Sequence, residues 1–515
     1  MNSFDLTFLK YLQENQPLAL DEAVTRFGKT HSTLKRSMKT LNEFLPAGLE
    51  LRQENQFLVT RLRYPDYIRF LETLPFNRYL TTAEERIREL LVAFGLHGVV
   101  NKNEHYKTFH MSPGTLKNDA PLFSRCLAEQ DLSQRSLARK GTELAGDEFR
   151  LRVAVCMAIL KAVETGEDHQ LIAHKANDPI SRMIAGQFLT LCAQQIQLAA
   201  RIYQSHLHPH WPLGYNGKKY FLVYLSLALY RQSLGYRIQN TQDEFCITSW
   251  PWGVFEDAAE NERLDLLVAS LTTTDKTFSL YDPPLLSHVR DFCQQLSGSL
   301  KVQIQDPREW LGETYTFLYS AIIQSKFHLG FDDKKLHQVE QRYIGLYQQV
   351  QQALTGIESQ WGVHLSAVHV ATLVLIVKKH ELKNRLRSER RKRVIIVSNS
   401  SESKVGYFKE VLHSWFHVEI PLCVNINELH RLQDEPFDLL LTFTNKISTY
   451  LHFAGYEDVK VNFHLTQQDI ALLHDKGLSR ARKKIPAGEF IRQVEGLDKQ
   501  QLQELLLREY ADIFI

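Results

Sequence analysis

His110-Met111-Ser112-Pro113-Gly114-Thr115-Leu116-Lys117-Asn118-Asp119 and, further on, Leu132-Ser133-Gln134-Arg135-Ser136-Leu137-Ala138-Arg139-Lys140-Gly141-Thr142-Glu143-Leu144-Ala145-Gly146-Asp147-Glu148-Phe149-Arg150-Leu151-Arg152 set the architecture of this chain. Ser112 is a helix-capping residue, and Pro113 suits the first helical turn, where a missing amide hydrogen costs little. Leu116 and Leu122 give that helix an inward side, and Pro121 is expected to end it early. The second segment reads as a small β element and then the start of a helical domain. A polar helix followed by a β element is the pattern of a helix that enters a nucleic-acid groove. Ser112, Thr115, Lys117 and Asn118 are its candidate base-facing or phosphate-facing residues, with Asp119 diluting their charge. Upstream, Thr81 to Glu85 form a capping box before Ile87, Leu90, Leu91 and Phe94, and a short helix is expected from Glu104 to Phe109.

A second pattern of the same kind lies nearer the start. Phe4, Phe8, Leu9, Tyr11 and Leu12 predict an amphipathic helix broken by Pro17. Leu20, Ala23, Val24 and Phe27 predict a second, stopped by Gly28, since glycine accepts positive φ. Thr30 or Ser32 caps a third, in which Leu34, Met38, Leu41 and Leu45 face inward while His31, Lys35, Arg36 and Lys39 face out. Leu49-Glu50-Leu51 and Phe57-Leu58-Val59 alternate about a Glu54-Asn55 turn, as a β-wing would. Lys29, Lys35, Arg36 and Lys39 make an acid-free basic face, so Lys29, His31, Ser32, Lys35, Arg36 and Lys39 are the main candidates for DNA contact. Lys117 and Asn118 come second.

Composition supports a soluble, multidomain chain. A length of 515 residues leaves room for about three to five domains. With 44% hydrophobic and 23% charged residues it can bury real cores and does not read as disordered. Nothing reads as a transmembrane span or a signal peptide, so a cytoplasmic protein without membrane contact is expected. The net charge of +2 excludes a polycation, so any nucleic-acid affinity must come from local patches. One other patch exists: Lys378 to Arg393 carries nine basic residues against two acidic ones and reads as a solvated helix end between domains. Cys126, Cys156, Cys192, Cys246, Cys293 and Cys423 are scattered singly, as reduced structural thiols would be. His206, His208 and His210 surround Pro209 with no other ligand type nearby, so they read as exposed loop histidines and no metal is expected.

The Ser112 to Asp119 motif, Lys140-Gly141-Thr142-Glu143-Leu144-Ala145-Gly146-Asp147-Glu148 and Arg150-Leu151-Arg152 resemble the second helix-turn-helix, and its exit, of the transcriptional regulators that carry phosphotransferase-system regulation domains (PRDs). The likeness is to the Mga/AtxA branch, relatives of BglG, ManR and LicR. It implies a mainly α chain with a C-terminal α/β domain. The expected parts are a winged helix-turn-helix at 1–63, a second helix-turn-helix at 64–146, PRD-like helical domains at 147–280 and 281–390, and an enzyme IIB-like domain at 391–515. Within Tyr220 to Ile238, Arg231 and Gly235 fit a PRD signature, but Tyr224 stands at the phosphoacceptor histidine position. Ala269, Phe317 and Ile376 stand at the other three, with His328, His364, His369 and His380 as substitutes should the alignment slip. None of these four aligned residues accepts a phosphoryl group on nitrogen, so the resemblance implies degenerate sensor domains.

In the last part, Val394 to Ser398, His417 to Ile420, Asp438 to Phe443 and Lys460 to Phe463 predict strands. Helical signals lie between and after them, at Phe408 to Trp415, Ile426 to Leu432 and Thr466 to Leu473. Alternating strands and helices predict a small α/β domain with a largely parallel sheet. By resemblance, Ser398 replaces the phosphorylatable cysteine of an enzyme IIB-like domain, and serine lacks the thiolate that makes cysteine an acceptor. The expectation is a DNA-binding transcriptional activator of virulence or sugar-response type, a homodimer, not an enzyme, with no cofactor. Its partners would be double-stranded promoter DNA, a second copy of itself and phosphotransferase-system proteins. The alternatives are a BglG-type RNA-binding antiterminator, disfavoured because those begin with a small β-domain, and a phosphorylation-responsive sugar-operon activator.

Overall fold

The computed structural model describes residues 1–239, 253–271, 282–300, 307–329, 336, 338–383, 392–478, 494 and 502. The polar stretch from Asn240 to Trp252, with Cys246 in it, and residues 384–391 of the basic run lie outside them. The described residues are mainly helical, with twenty α-helices and one parallel sheet region.

The chain opens with helix α1 (Ser3–Glu14), whose Asn2 and Asp5 cap each other's amides. Strand β1 (Leu18–Ala19) leads into α2 (Leu20–Phe27), stopped by Gly28 at φ 58°. Helix α3 (His31–Asn42) is capped by Thr30, not Ser32, the Thr30 hydroxyl accepting from the Thr33 amide. Strands β2 (Arg52–Glu54) and β3 (Phe57–Val59) form a hairpin that turns through Asn55 at φ 55° and pairs with β1, giving the order β1-β3-β2. Phe27 sits edge-on to Phe4, Phe8 and Tyr11, which locks α2 onto α1. Buried Ser37 on α3 donates to Asp5 on α1, fixing the angle between those helices.

Helix α4 (Tyr64–Thr73) joins this unit to a second with the same order of parts: α5 (Ala83–His97), β4 (Val99–Val100), α6 (Lys102–Thr108), α7 (Pro113–Ala128), β5 (Ser133–Leu137) and β6 (Gly141–Ala145). Its sheet order, β4-β6-β5, repeats that of the first. Pro121 does not end α7. Pro121 and Lys117, whose carbonyl the missing amide would have bonded, both lie on the exposed side, so that carbonyl is open to solvent. Gly141, at φ 129°, lets β6 pass β4, because a Cβ there would lie 2.7 Å from the Val100 carbonyl oxygen.

The helical region follows. Helix α8 (Glu148–Leu160) is apolar nearly all round and packs between α5 and α11 (Tyr215–Ser233). Around them lie the hairpin β7 (Val163–Thr165) and β8 (Leu171–Ala173), then α9 (Pro179–Leu191), α10 (Ala193–Ile202) and α12 (Ala258–Ala269). Helices α13 (Pro283–Leu300), α14 (Pro307–Lys326), α15 (Val339–Arg342), α16 (Ile344–Trp361) and α17 (Ala367–Lys383) follow.

The last part is α/β, as its alternation predicts. Strands β9 (Lys392–Val397), β10 (Val418–Glu419), β11 (Cys423–Val424), β12 (Leu439–Thr442) and β13 (Val459–Lys460) are all parallel, in the order β10-β9-β12-β13 with β11 also on β9. Strands β10 and β11 flank Pro421, which has no amide for the ladder, so the strand expected over His417 to Ile420 shrinks to two residues. The helix expected at Ile426 to Leu432 is a 3₁₀ turn at Leu429–Gln433. Helices α18 (Glu402–Trp415), α19 (Asn445–Phe453) and α20 (Gln467–Asp475) complete the layer, and α18 lies along α17.

Candidate nucleic-acid interface

Helix α3 buries Leu34, Ser37, Met38 and Leu41 and exposes His31, Ser32, Lys35, Arg36 and Lys39. Lys35, Arg36 and Lys39 have no acidic partner within ion-pair distance among the described residues, so their charge is fully presented to water. Beside them, Lys35, Met38, Lys39, Asn42, Glu43 and Gln53 line an open groove between α3 and the hairpin. His31 is exposed but tied to Asp21 on α2 at 2.9 Å, which braces α3 against α2. Lys29 stands in the turn before α3 with its ammonium over the Phe4 ring at 5.5 Å.

In the second unit Ser112 caps α7, its hydroxyl accepting from the Thr115 amide at 3.2 Å. Lys117 and Asn118 are exposed on the following turn. Asp119 does not dilute them. It is buried, taking two hydrogen bonds from Arg86 at 2.6 and 2.9 Å and one from the Tyr106 hydroxyl at 3.1 Å, and so holds α7 to α5 and α6. Beyond α7, the β5–β6 turn exposes Arg139 and Lys140, with Arg139 at φ 62° on its tip. Neither cation is among the candidate contacts named from the sequence. The signal was the Ala138-Arg139-Lys140-Gly141 run between two alternating segments.

Both units are held from behind by distant cations that meet helix C-terminal carbonyls, where positive charge is favoured. Lys460 donates to the Glu14 carbonyl of α1 at 2.7 Å, and α1 has no basic residue in its own last turn. Arg182 on α9 donates to the Glu72 and Leu74 carbonyls at the end of α4, at 2.6 and 2.5 Å. Arg231 on α11 donates to the Gly95 carbonyl of α5 at 2.7 Å. The last contact belongs to a buried network. Arg231 also binds both carboxylate oxygens of Glu148, at 2.6 and 2.8 Å. Arg152, with a fully buried side chain, reaches Glu148 at 2.8 Å, Glu260 at 2.5 and 3.0 Å, and the Tyr236 carbonyl at 3.0 Å. Two guanidiniums meet two carboxylates, so the cluster is neutral as a whole. A second joint forms where Lys446 pairs with Glu164, which lies 3.3 Å from His174. Burial outweighs that carboxylate and holds His174 down at about 4.

Of the four residues aligned with the phosphoacceptor histidines, none is exposed. Tyr224, Ala269 and Ile376 are buried, and Tyr224 packs edge-on to Phe149. Phe317 is half-buried and edge-on to His369. The substitute histidines are placed unlike one another. His328 is exposed at φ 54° after α14, and His364 is exposed 3.2 Å from Glu358. His380 is buried 2.9 Å from Glu313. His369 is buried, its Nδ1 accepting from the Ser366 amide at 3.2 Å while Nε2 donates to Gln324 at 3.1 Å. Those partners fix a neutral ring, and burial holds His369 at about 4. The depressed value means stability is fully present above pH 6.5 and is lost as pH falls toward about 4. Urea unfolding at pH 7 and pH 5 is expected to show that loss, with a smaller one in His369→Asn; an equal loss in both would assign it elsewhere.

Ser398 is buried at the end of β9, its hydroxyl accepting from the Ser400 amide at 3.1 Å. The ends of the basic run are engaged: Lys379 pairs with Glu313, and Arg393 pairs with Glu435. His206, His208 and His210 are exposed, and no group of three or more His, Cys, Asp or Glu is placed to hold a metal among the described residues. No helix among them is long and apolar enough to cross a membrane. No protein-family model matches the chain, and no curated protein matches it.

Proposed function

We propose that the chain is a transcriptional regulator that binds double-stranded DNA through two winged helix-turn-helix units. Behind them we place two degenerate PRD-like helical domains and an enzyme IIB-like domain that has lost its acceptor cysteine. The observation that carries this reading is the unpaired cationic face of α3, Lys35, Arg36 and Lys39, beside the β2–β3 hairpin. The repeated order of three helices and a hairpin in the second unit, with Lys117 on its third helix and Arg139 and Lys140 at its wing, supports it. We infer a homodimer as the active species, because a second copy doubles the surface that the two units can bury on DNA.

Selection of the intact chain against random 30-base-pair duplexes, in parallel with a random RNA pool, tests the reading. Enrichment of a duplex sequence bound at about 10⁻⁸ M is expected. Enrichment of RNA with none of duplex DNA would favour the antiterminator alternative. Phosphorylation is a separate matter: incubation with the general phosphotransferase components and labelled phosphoenolpyruvate should leave the chain unlabelled, and robust labelling would contradict the loss of the switch.

A further inference from the structure

Helix α16 has an outer face without charge. Leu346, Val350, Leu354 and Ile357 are buried on its inner face, and the helix packs on α13 and α17. Its exposed residues are isoleucine, glycine, glutamine, threonine and serine only. Glu358, the one acid of the helix, is half-buried and turned onto the segment that follows, accepting from the Leu365 amide at 2.7 Å and lying 3.2 Å from His364. Charged residues make up 23% of the chain, and their hydration keeps them mostly at surfaces. About five turns of exposed helix without one are an exception to that rule. The face also has a period. Gly345, Gln348, Gln352, Thr355 and Ser359 follow one another at steps of three and four, the spacing of a seam along which two helices pack.

The side-chain amides of Gln348 and Gln352 hydrogen-bond to no described residue, so each turns an acceptor and two donors outward. A Cβ on Gly345 or Gly356 would meet nothing within 4 Å, which leaves room for a second backbone to come close. Ile344, 57% exposed, adds an apolar contact at the start of the seam. The neutral surface widens onto α13, which packs on α16 and exposes Gln294, Gln295 and Gly298 in its last turns. A charged partner would find no opposite charge here, and an apolar helix would strand the amides. A second copy laid antiparallel matches the seam about its middle: Gln352 meets Gln352, Gln348 meets Thr355, and Gly345 meets Ser359, so donors face acceptors and no like charges meet. We infer that α16 pairs antiparallel with α16 of a second copy of this chain, through Gln348, Gln352 and Thr355, with Gln352 on the two-fold axis. The inference rests on the homodimer proposed above and gives it a surface. A helix about 27 Å long reaches only the low end of specific interfaces, about 1,200 Å² in all, so the pair is weak on its own, with a dissociation constant of about 10 µM.

Sedimentation velocity of the intact chain without DNA, from about 1 to about 100 µM, tests it, and the unaltered chain is expected to pass from monomer to dimer across that range. Gln352→Lys alters an exposed side chain with no hydrogen-bond partner among the described residues, so it should melt with the parent. It should weaken the dimer about tenfold or more, because two ammonium groups then meet on the axis. Gln348→Lys/Thr355→Glu sets opposite charges across an antiparallel seam and like charges across a parallel one, so it should dimerise at least as tightly as the parent. If Gln352→Lys does not fold, the double variant decides. A folded double variant that stays monomeric overturns the antiparallel seam. A dimer that folded Gln352→Lys leaves as tight as the parent lies on another surface, which overturns the inference while the homodimer stands. An unaltered chain that is monomeric throughout overturns both.

Discussion

Arg152→Met is expected to destabilise the chain by about 3–5 kcal/mol, the cost of stranding a buried charge by removing its partner. Among the described residues, Arg152 is the only group that donates to both carboxylates of its network, Glu148 on α8 and Glu260 on α12. Without it, Glu260 keeps the Ile238 amide at 3.1 Å but loses its counter-charge in a dry core. Arg152→Met/Glu260→Met should recover much of the loss, because two apolar side chains of similar volume fill the space without leaving a charge. Urea unfolding of the two variants against the unaltered chain reads this directly. A double variant as unstable as the single one would mean that the pair also supplies packing that methionine does not reproduce. The damage should extend to the second unit of three helices and a hairpin, because Arg231 shares Glu148 with Arg152 while gripping the Gly95 carbonyl of α5.

Local elements were legible in the sequence where a short-range signal exists. Gly28, the Thr81 to Glu85 box and Ser112 mark helix boundaries that the structure keeps, because capping is decided within four residues. The α/β alternation after residue 391 was legible for the same reason. Pro121 misled because a proline's effect depends on whether the orphaned carbonyl faces water, which no local pattern states. Asp119 misled because its partners, Arg86 and Tyr106, lie on other helices. The cations that hold the helix ends were beyond reach altogether: Lys460 and Glu14 are 446 positions apart, and Arg231 and Gly95 are 136 apart. Of the candidate DNA-contacting residues, the lysines and arginine of α3 are where the helical period put them. His31 has a structural duty, its bond to Asp21 on α2, that only the folded chain reveals.

The central claim is that α3 is the principal DNA reader, and the salt dependence of binding tests it most directly. Each phosphate neutralised by a lysine or arginine contributes about −0.9 to the slope of log K against log salt. Lys35→Ala/Arg36→Ala/Lys39→Ala removes three exposed, unpaired cations without touching the buried face of the helix. The triple variant should melt with the parent, because exposed substitutions of this kind change stability by no more than about 0.5 kcal/mol each. Fluorescence anisotropy on a selected duplex between 50 and 200 mM salt should show affinity reduced about a hundredfold or more and a slope shallower by about 2.7. The corresponding loss for Lys117→Ala/Arg139→Ala/Lys140→Ala should be smaller. A folded triple variant of α3 that binds the duplex with the parent's affinity and the parent's salt slope would contradict the account.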